Sequence, residues 1–162
     1  MSKAFTLIEL IFVIVVLGIL SAVAIPKFFN LKQHSVIESM SYTLTSGVSE
    51  AIELAENYMY LEENKSFKLG DVLKINEQEL DSGLKWNYTT RGAYNKDGTY
   101  SLRDETYSPS PKVVLRITLD KDERVIKYRI NCKNLKVSTH KKLRELCIKK
   151  WGDKDIQEDV SF

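Results

Sequence analysis

The chain is poor in the residues from which enzymes and metal centres are built. Of its 162 residues, two are histidine and two are cysteine. His34 and His140 stand at no ligand spacing from each other or from Cys132 and Cys147. There is no Cys-x-x-Cys pair, so a zinc site has no signature. No nucleophile motif and no glycine-rich phosphate loop occurs. Carboxylates such as Glu62, Glu63, Asp104 and Glu105 are scattered and read as surface charge. Nothing in this inventory points to catalysis, a resident metal or a cofactor. Long low-complexity tails are also missing, so about 100 residues beyond the N-terminal region are left for one small globular head.

What the chain has in quantity is an uninterrupted apolar run. It extends from Phe5 to Ile25 and stops at Pro26, 21 residues whose only charge is Glu9. As a helix it would be about 31 Å long, the thickness of a bilayer's hydrocarbon core at about 30 Å. A carboxylate in such a segment costs on the order of 2.5–3.5 kcal/mol near the centre and less near an end. A plain anchor has no use for it, so Glu9 is expected to have a partner. Gly18 and Ala22 form a small-x-x-x-small pair that would let another helix approach closely. Two simpler readings stand beside this one. A secretory signal peptide would be cut after Ala22-Val23-Ala24, and an uncleaved single-span anchor would keep Met1 or Ser2.

Met1 to Phe29 reads MSKAFTLIELIFVIVVLGILSAVAIPKFF. With its short leader carrying Lys3, small Ala4, then Phe5, Glu9, Gly18 and Pro26, this segment strongly resembles the N-terminus of type IV prepilins and of the pseudopilins of type II secretion and DNA-uptake systems. The resemblance covers about the first 30 residues. It implies that a prepilin peptidase of the bacterial inner membrane cuts between Ala4 and Phe5 and methylates the new amine of Phe5. The family usually has glycine before the cut. Ala4 is the next smallest side chain, so cleavage is still expected. The implied partners are that peptidase, other pilin or pseudopilin subunits, an inner-membrane assembly platform and the membrane itself. The subunit would wait as a single-pass protein with its head in the periplasm, then enter a periplasmic or extracellular filament. Glu9, fifth after the cut, would pair with the N-terminal amine of a neighbouring subunit. Two buried ions are tolerable when paired, and removing one strands the other. The implied division is a leader at 1–4, a membrane and filament-core helix at 5–25 and a head at 26–162. In the periplasm, which is oxidising, Cys132 and Cys147 would form a disulfide by default, and the pair resembles the C-terminal disulfide of many pilins. Its loop of about 15 residues would contribute roughly 3 kcal/mol.

Beyond Pro26 the helix is expected to continue to about residue 61, kinked or locally melted where Pro26 removes a hydrogen bond. Ile37, Met40, Leu44, Val48, Ala51, Ile52, Ala55, Tyr58 and Met59 form one apolar stripe at helical period. Residues 64–83 read as a short helix or an irregular connection. Leu84–Thr90 reads as a strand with Trp86 and Tyr88 on one face, Asn95-Lys96-Asp97-Gly98 as a turn, and Thr99–Leu102 as a short edge strand. After the breaker Ser108-Pro109-Ser110-Pro111, Lys112–Leu119 and Val125–Cys132 alternate as an antiparallel hairpin across Asp120–Glu123. Val113, Leu115, Ile117 and Leu119 are expected on one face of its first strand. Ser138 is expected to cap a last helix running to Trp151, with Leu143, Leu146, Cys147 and Trp151 facing the sheet. The fold class is therefore α+β, with a long N-terminal helix, half transmembrane and half amphipathic, packed on a small antiparallel sheet and followed by a C-terminal helix.

Charge is distributed unevenly. Residues 27–111 have a net charge of −4, 112–151 of +9 and 152–162 of −3. Such asymmetry marks complementary faces on stacked subunits, solvated surface, or an anionic-polymer surface. The last reading gives an alternative function, a minor pilin binding DNA in natural transformation through Lys141, Lys142, Arg144, Lys149 and Lys150. Aromatic residues are sparse there, unlike in a dedicated single-strand binder.

Overall fold

The computed structural model describes residues 6–61, 66–91 and 96–162. It is an α+β fold in which one long rod, a six-stranded antiparallel sheet and a C-terminal helix share a core. The rod opens with α1 (Leu7–Tyr42), passes through a π-helical turn at Thr43–Gly47 into α2 (Val48–Glu56), and ends in a second π-helical turn at Asn57–Leu61. The α-helix continues through Pro26, so it does not melt there although Pro26 has no N–H to donate.

Burial divides the rod. None of the apolar window near its start is buried, whereas Val36, Ile37, Met40, Leu44, Val48, Ala51 and Ala55 are. Steps of four residues overshoot the 3.6-residue turn by about 40° each, so the series 36, 40, 44, 48 would rotate off the sheet. The π turn absorbs the excess: the Val48 N–H reaches back to the Thr43 carbonyl, a five-residue bond. The hydroxyls of Thr43 and Thr45 donate to the Ser39 and Ser41 carbonyls at 3.0 Å, engaging backbone acceptors on the way into the turn.

The sheet is a meander: β1 (Glu79–Asp81), β2 (Leu84–Thr89), β3 (Thr99–Asp104), β4 (Lys112–Asp120), β5 (Val125–Ile130) and β6 (Ile156–Ser161) lie in sequence order. The strand at 84, the hairpin of β4 and β5 and the helix α4 (Val137–Trp151) fall where the hydrophobic pattern places them. Four details differ. The segment at Thr99 extends to Asp104 and is an interior strand, buried along most of its length, because β2 and β4 cover both of its edges. A bulge opposite Leu102 and Arg103 inserts Val114 as an extra residue in β4, so Val114 is buried while Val113 is only partly so. The helix α4 has Lys136, not Ser138, at its N-cap position. The acidic tail forms β6, which lays Asp159 opposite Lys127 and Glu158 opposite Tyr128.

Residues 67–75 are partly helical and partly extended. Phe67 is buried, α3 (Leu69–Val72) is a single turn, and Leu73 resumes extended geometry. Gly98 has φ +103°, and a Cβ there would lie 2.5 Å from the Tyr88 hydroxyl, so the tight approach of the turn to β2 requires glycine. Asn95, the first residue of that turn motif, lies outside the described residues. Cys132 and Cys147 are bonded to each other and tie the end of β5 to α4.

Candidate functional site

The N-terminal turn of α1 is built around Thr6 and Glu9. Thr6 is the N-cap, extended at φ −81° and ψ 149°, and its Oγ1 accepts from the Glu9 N–H at 3.3 Å. The Thr6 hydroxyl also donates to Glu9 Oε2 at 3.4 Å. Thr6-Leu7-Ile8-Glu9 has the S/T-x-x-E spacing of a capping box, a local sequence signal for this helix start. A carboxylate in the first turn also complements the helix dipole. Glu9 is exposed, and Thr6 is its only polar partner among the described residues. Ala4 and Phe5 lie outside the described residues.

From Leu7 to Ile25 every large apolar side chain is exposed, Leu7 and Ile8 by more than 70 %. Among the described residues one helix, Leu7–Tyr60, is long and apolar enough to cross a membrane. Gly18 has open space where a Cβ would point. The structure therefore presents a bare apolar rod with one carboxylate near its tip. Such a surface is found where another apolar phase or another helix covers it.

At the other end of the bare stretch the head grips the rod. Lys32 Nζ lies 2.8 Å from Asp81 Oδ1, and Lys150 Nζ lies 3.0 Å from both Glu38 oxygens. Burial works to raise the Asp81 carboxyl. The hydrogen bond and charge of Lys32 and the Ser82 N–H outweigh it and hold Asp81 below the usual carboxylate value. Behind Asp81 sits His140, wholly buried, with Nδ1 3.7 Å from Asp81 Oδ2 and Nε2 3.6 Å from Asp104 Oδ1.

The reading of Asp104 as surface charge is corrected here, and His140 has partners that its local sequence does not show. Both are polar residues whose partners are remote in sequence. Asp104 is not surface charge: it is wholly buried and accepts from the Lys136 N–H at 2.7 Å, the Thr106 N–H at 3.0 Å and the Thr106 hydroxyl. It serves as the missing cap of α4, a carboxylate against the positive end of a helix. His140 likewise lies between two carboxylates, one from β1 and one from β3. Glu62 and Glu63 lie outside the described residues.

Three of the basic residues of α4 have partners within the chain. Lys150 is held by Glu38, Lys142 lies 3.6 Å from Glu145, and the Arg144 guanidinium donates to the Leu135 carbonyl at 3.3 Å. Lys141 and Lys149 are exposed and have no ion-pair partner among the described residues. The tail neutralises other cations, Asp155 on Arg129 and Asp153 on Lys133. Among the described residues no group of three or more His, Cys, Asp or Glu side chains is placed to hold a metal.

Comparison with known proteins agrees with the N-terminal geometry. Residues 1–25 match the family described as Prokaryotic N-terminal methylation motif. No curated protein and no solved structure matches the chain. An apolar helix opening on a capped glutamate, with the matched motif running to Ile25, establishes that this chain carries the prepilin-type N-terminal signal of type IV pilins and pseudopilins.

Proposed function

We propose that the chain is a structural subunit of a type IV pilus or pseudopilus filament, anchored in the inner membrane before assembly and carrying its head in the periplasm. The observation that supports this best is Glu9: a carboxylate on an otherwise bare apolar rod, with no countercharge in its own chain among the described residues. Cleavage after Ala4 by a prepilin peptidase would release an amine at Phe5, four residues before Glu9. That amine remains cationic after methylation. Within a bundle of such rods, the amine of one copy and Glu9 of the next would each satisfy the other's charge. A buried ion pair of this kind favours one register over the many that greasy surfaces permit. The function is mechanical, with the helix supplying the filament core and the head its outer layer.

Two experiments test the reading. Mass spectrometry of the membrane-extracted chain is expected to find Phe5 as the methylated N-terminus, and an intact Met1–Ala4 leader would overturn it. The capping role of Glu9 is separated from its charge by two substitutions. Glu9→Gln keeps a capping-box side chain and loses the charge, whereas Glu9→Val loses both. Both variants are expected to be cleaved normally and to lower filament yield at least tenfold. Normal filaments from Glu9→Gln would show that the charge pair does not direct assembly.

A further inference from the structure

Above the bare part of the rod, one face of the π-helical turn and α2 is left uncovered. Ser39, Thr43, Gly47, Glu50 and Leu54 form one wall of a groove of about 410 Å³, and the Val72–Asn76 segment with Trp86 forms the other. Tyr42 and Leu54 on its rim are 62 % and 44 % exposed. The Glu50 carboxylate has no ion-pair partner among the described residues. The rod carries a second uncovered apolar patch just past Pro26. Phe28 and Leu31 are 69 % and 63 % exposed, and Lys27 beside them has no ion-pair partner among the described residues.

We propose that the groove receives the Lys27–Leu31 segment of a second copy of this chain, with Lys27 against Glu50 and Leu31 against Leu54. This docking rests on the filament reading and gives it a head-level contact. Charge argues for that occupant, since an unpaired ammonium beside one apolar patch meets an unpaired carboxylate beside the other. Spacing argues for it too. Ala24, Lys27 and Leu31 step by three and four residues, and Gly47, Glu50 and Leu54 step identically, so two parallel rods offset by 23 residues bring all three pairs opposite one another. The Ala24–Gly47 pair puts two small residues where the backbones would come closest. A side chain at 47 would touch Leu73, 3.4 Å from its Cβ, and narrow the groove.

A single chain cannot make the contact itself, because the two patches lie about 35 Å apart along one rod. The two surfaces differ, so the contact is heterologous. Repeated with that stagger it does not close into a ring but continues as a filament.

The test uses the full-length chain in its own membrane, with cleavage and filament yield measured together. Glu50→Lys and Lys27→Glu are each expected to lower filament yield at least tenfold with cleavage unchanged, and the double exchange to restore it. A chain bearing Leu31→Cys and Leu54→Cys together is expected to give a ladder of oxidised oligomers in sheared filaments, and either cysteine alone to give none. Filaments at normal yield from both charge variants, with no ladder from the cysteine pair, would overturn the docking and leave the filament reading standing. A cleaved, unaltered chain that makes no filaments would remove both.

Discussion

Asp81 is one carboxylate contacted by two elements, Lys32 on α1 and His140 on α4. Its folded value lies below the unfolded one near 3.9. The stability it adds is therefore present above about pH 4 and is lost as pH falls through the folded value. Lys32 is half-exposed, so the pair is worth on the order of 1 kcal/mol or less. Asp81→Asn is expected to lower the melting temperature at pH 7 slightly and to leave it unchanged at pH 2. Equal losses at both pH values would assign the effect to packing. Gly98→Ala is a sharper case. It places a Cβ 2.5 Å from the Tyr88 hydroxyl at a positive φ and is expected to cost about 1–3 kcal/mol, read from denaturant midpoints. Gly98 was legible because its turn motif is local. Asp104 and His140 were not, because burial and partners 32 and 36 residues away in sequence, Lys136 and Asp104, define them.

At the scale of elements, periodicity revealed what it can encode. The stripe on the rod, β2 and the hairpin of β4 and β5 each bury several apolar residues at a regular period, and each lies where it was read, β4 with one bulge. The two edge strands have too little of that signal. β1 is three residues long, and β6 (Ile-Gln-Glu-Asp-Val-Ser) owes its place to pairing with β5. The bulge at Val114 also hid itself, since an inserted residue reverses the alternation only locally. The π turn at Thr43–Gly47 makes a prediction of its own. Because the turn holds one residue more than an α-helical turn would, deleting Ser46 should let the rod close into continuous α-helix with both flanking faces still toward the sheet. Deleting Glu53 has no such slack and turns Ala55 and Tyr58 away by about 100°. Circular dichroism melts are expected to show cooperative unfolding for the first deletion and a large loss of stability for the second. Similar losses from both would discount the role assigned to the turn.

Across the whole molecule, five of the six strands follow one another through short connections, and only β5 and β6 are separated by a long one. The Cys132–Cys147 bond lies inside that excursion and pins α4 before the tail returns. Replacing both cysteines by serine is expected to cost about 3 kcal/mol, a fall in melting temperature of roughly 10 °C. An unchanged melt would show the bond to be redundant. The N-terminal signal could be recognised from its residues alone, whereas the groove beside the π turn depends on the rod meeting a separate stretch between Val72 and Trp86 and could not. Between Ile25 and Lys32, where Asp81 of the head first holds the rod, lie six residues, about 9 Å of helix. With the apolar half in a bilayer, as proposed, the headgroup layer takes up roughly 5–8 Å of that length. The folded domain would therefore ride clear of the lipid surface on a short stem, and the subunit could be drawn upward out of the bilayer without its globular part first having to be pried from the phospholipids.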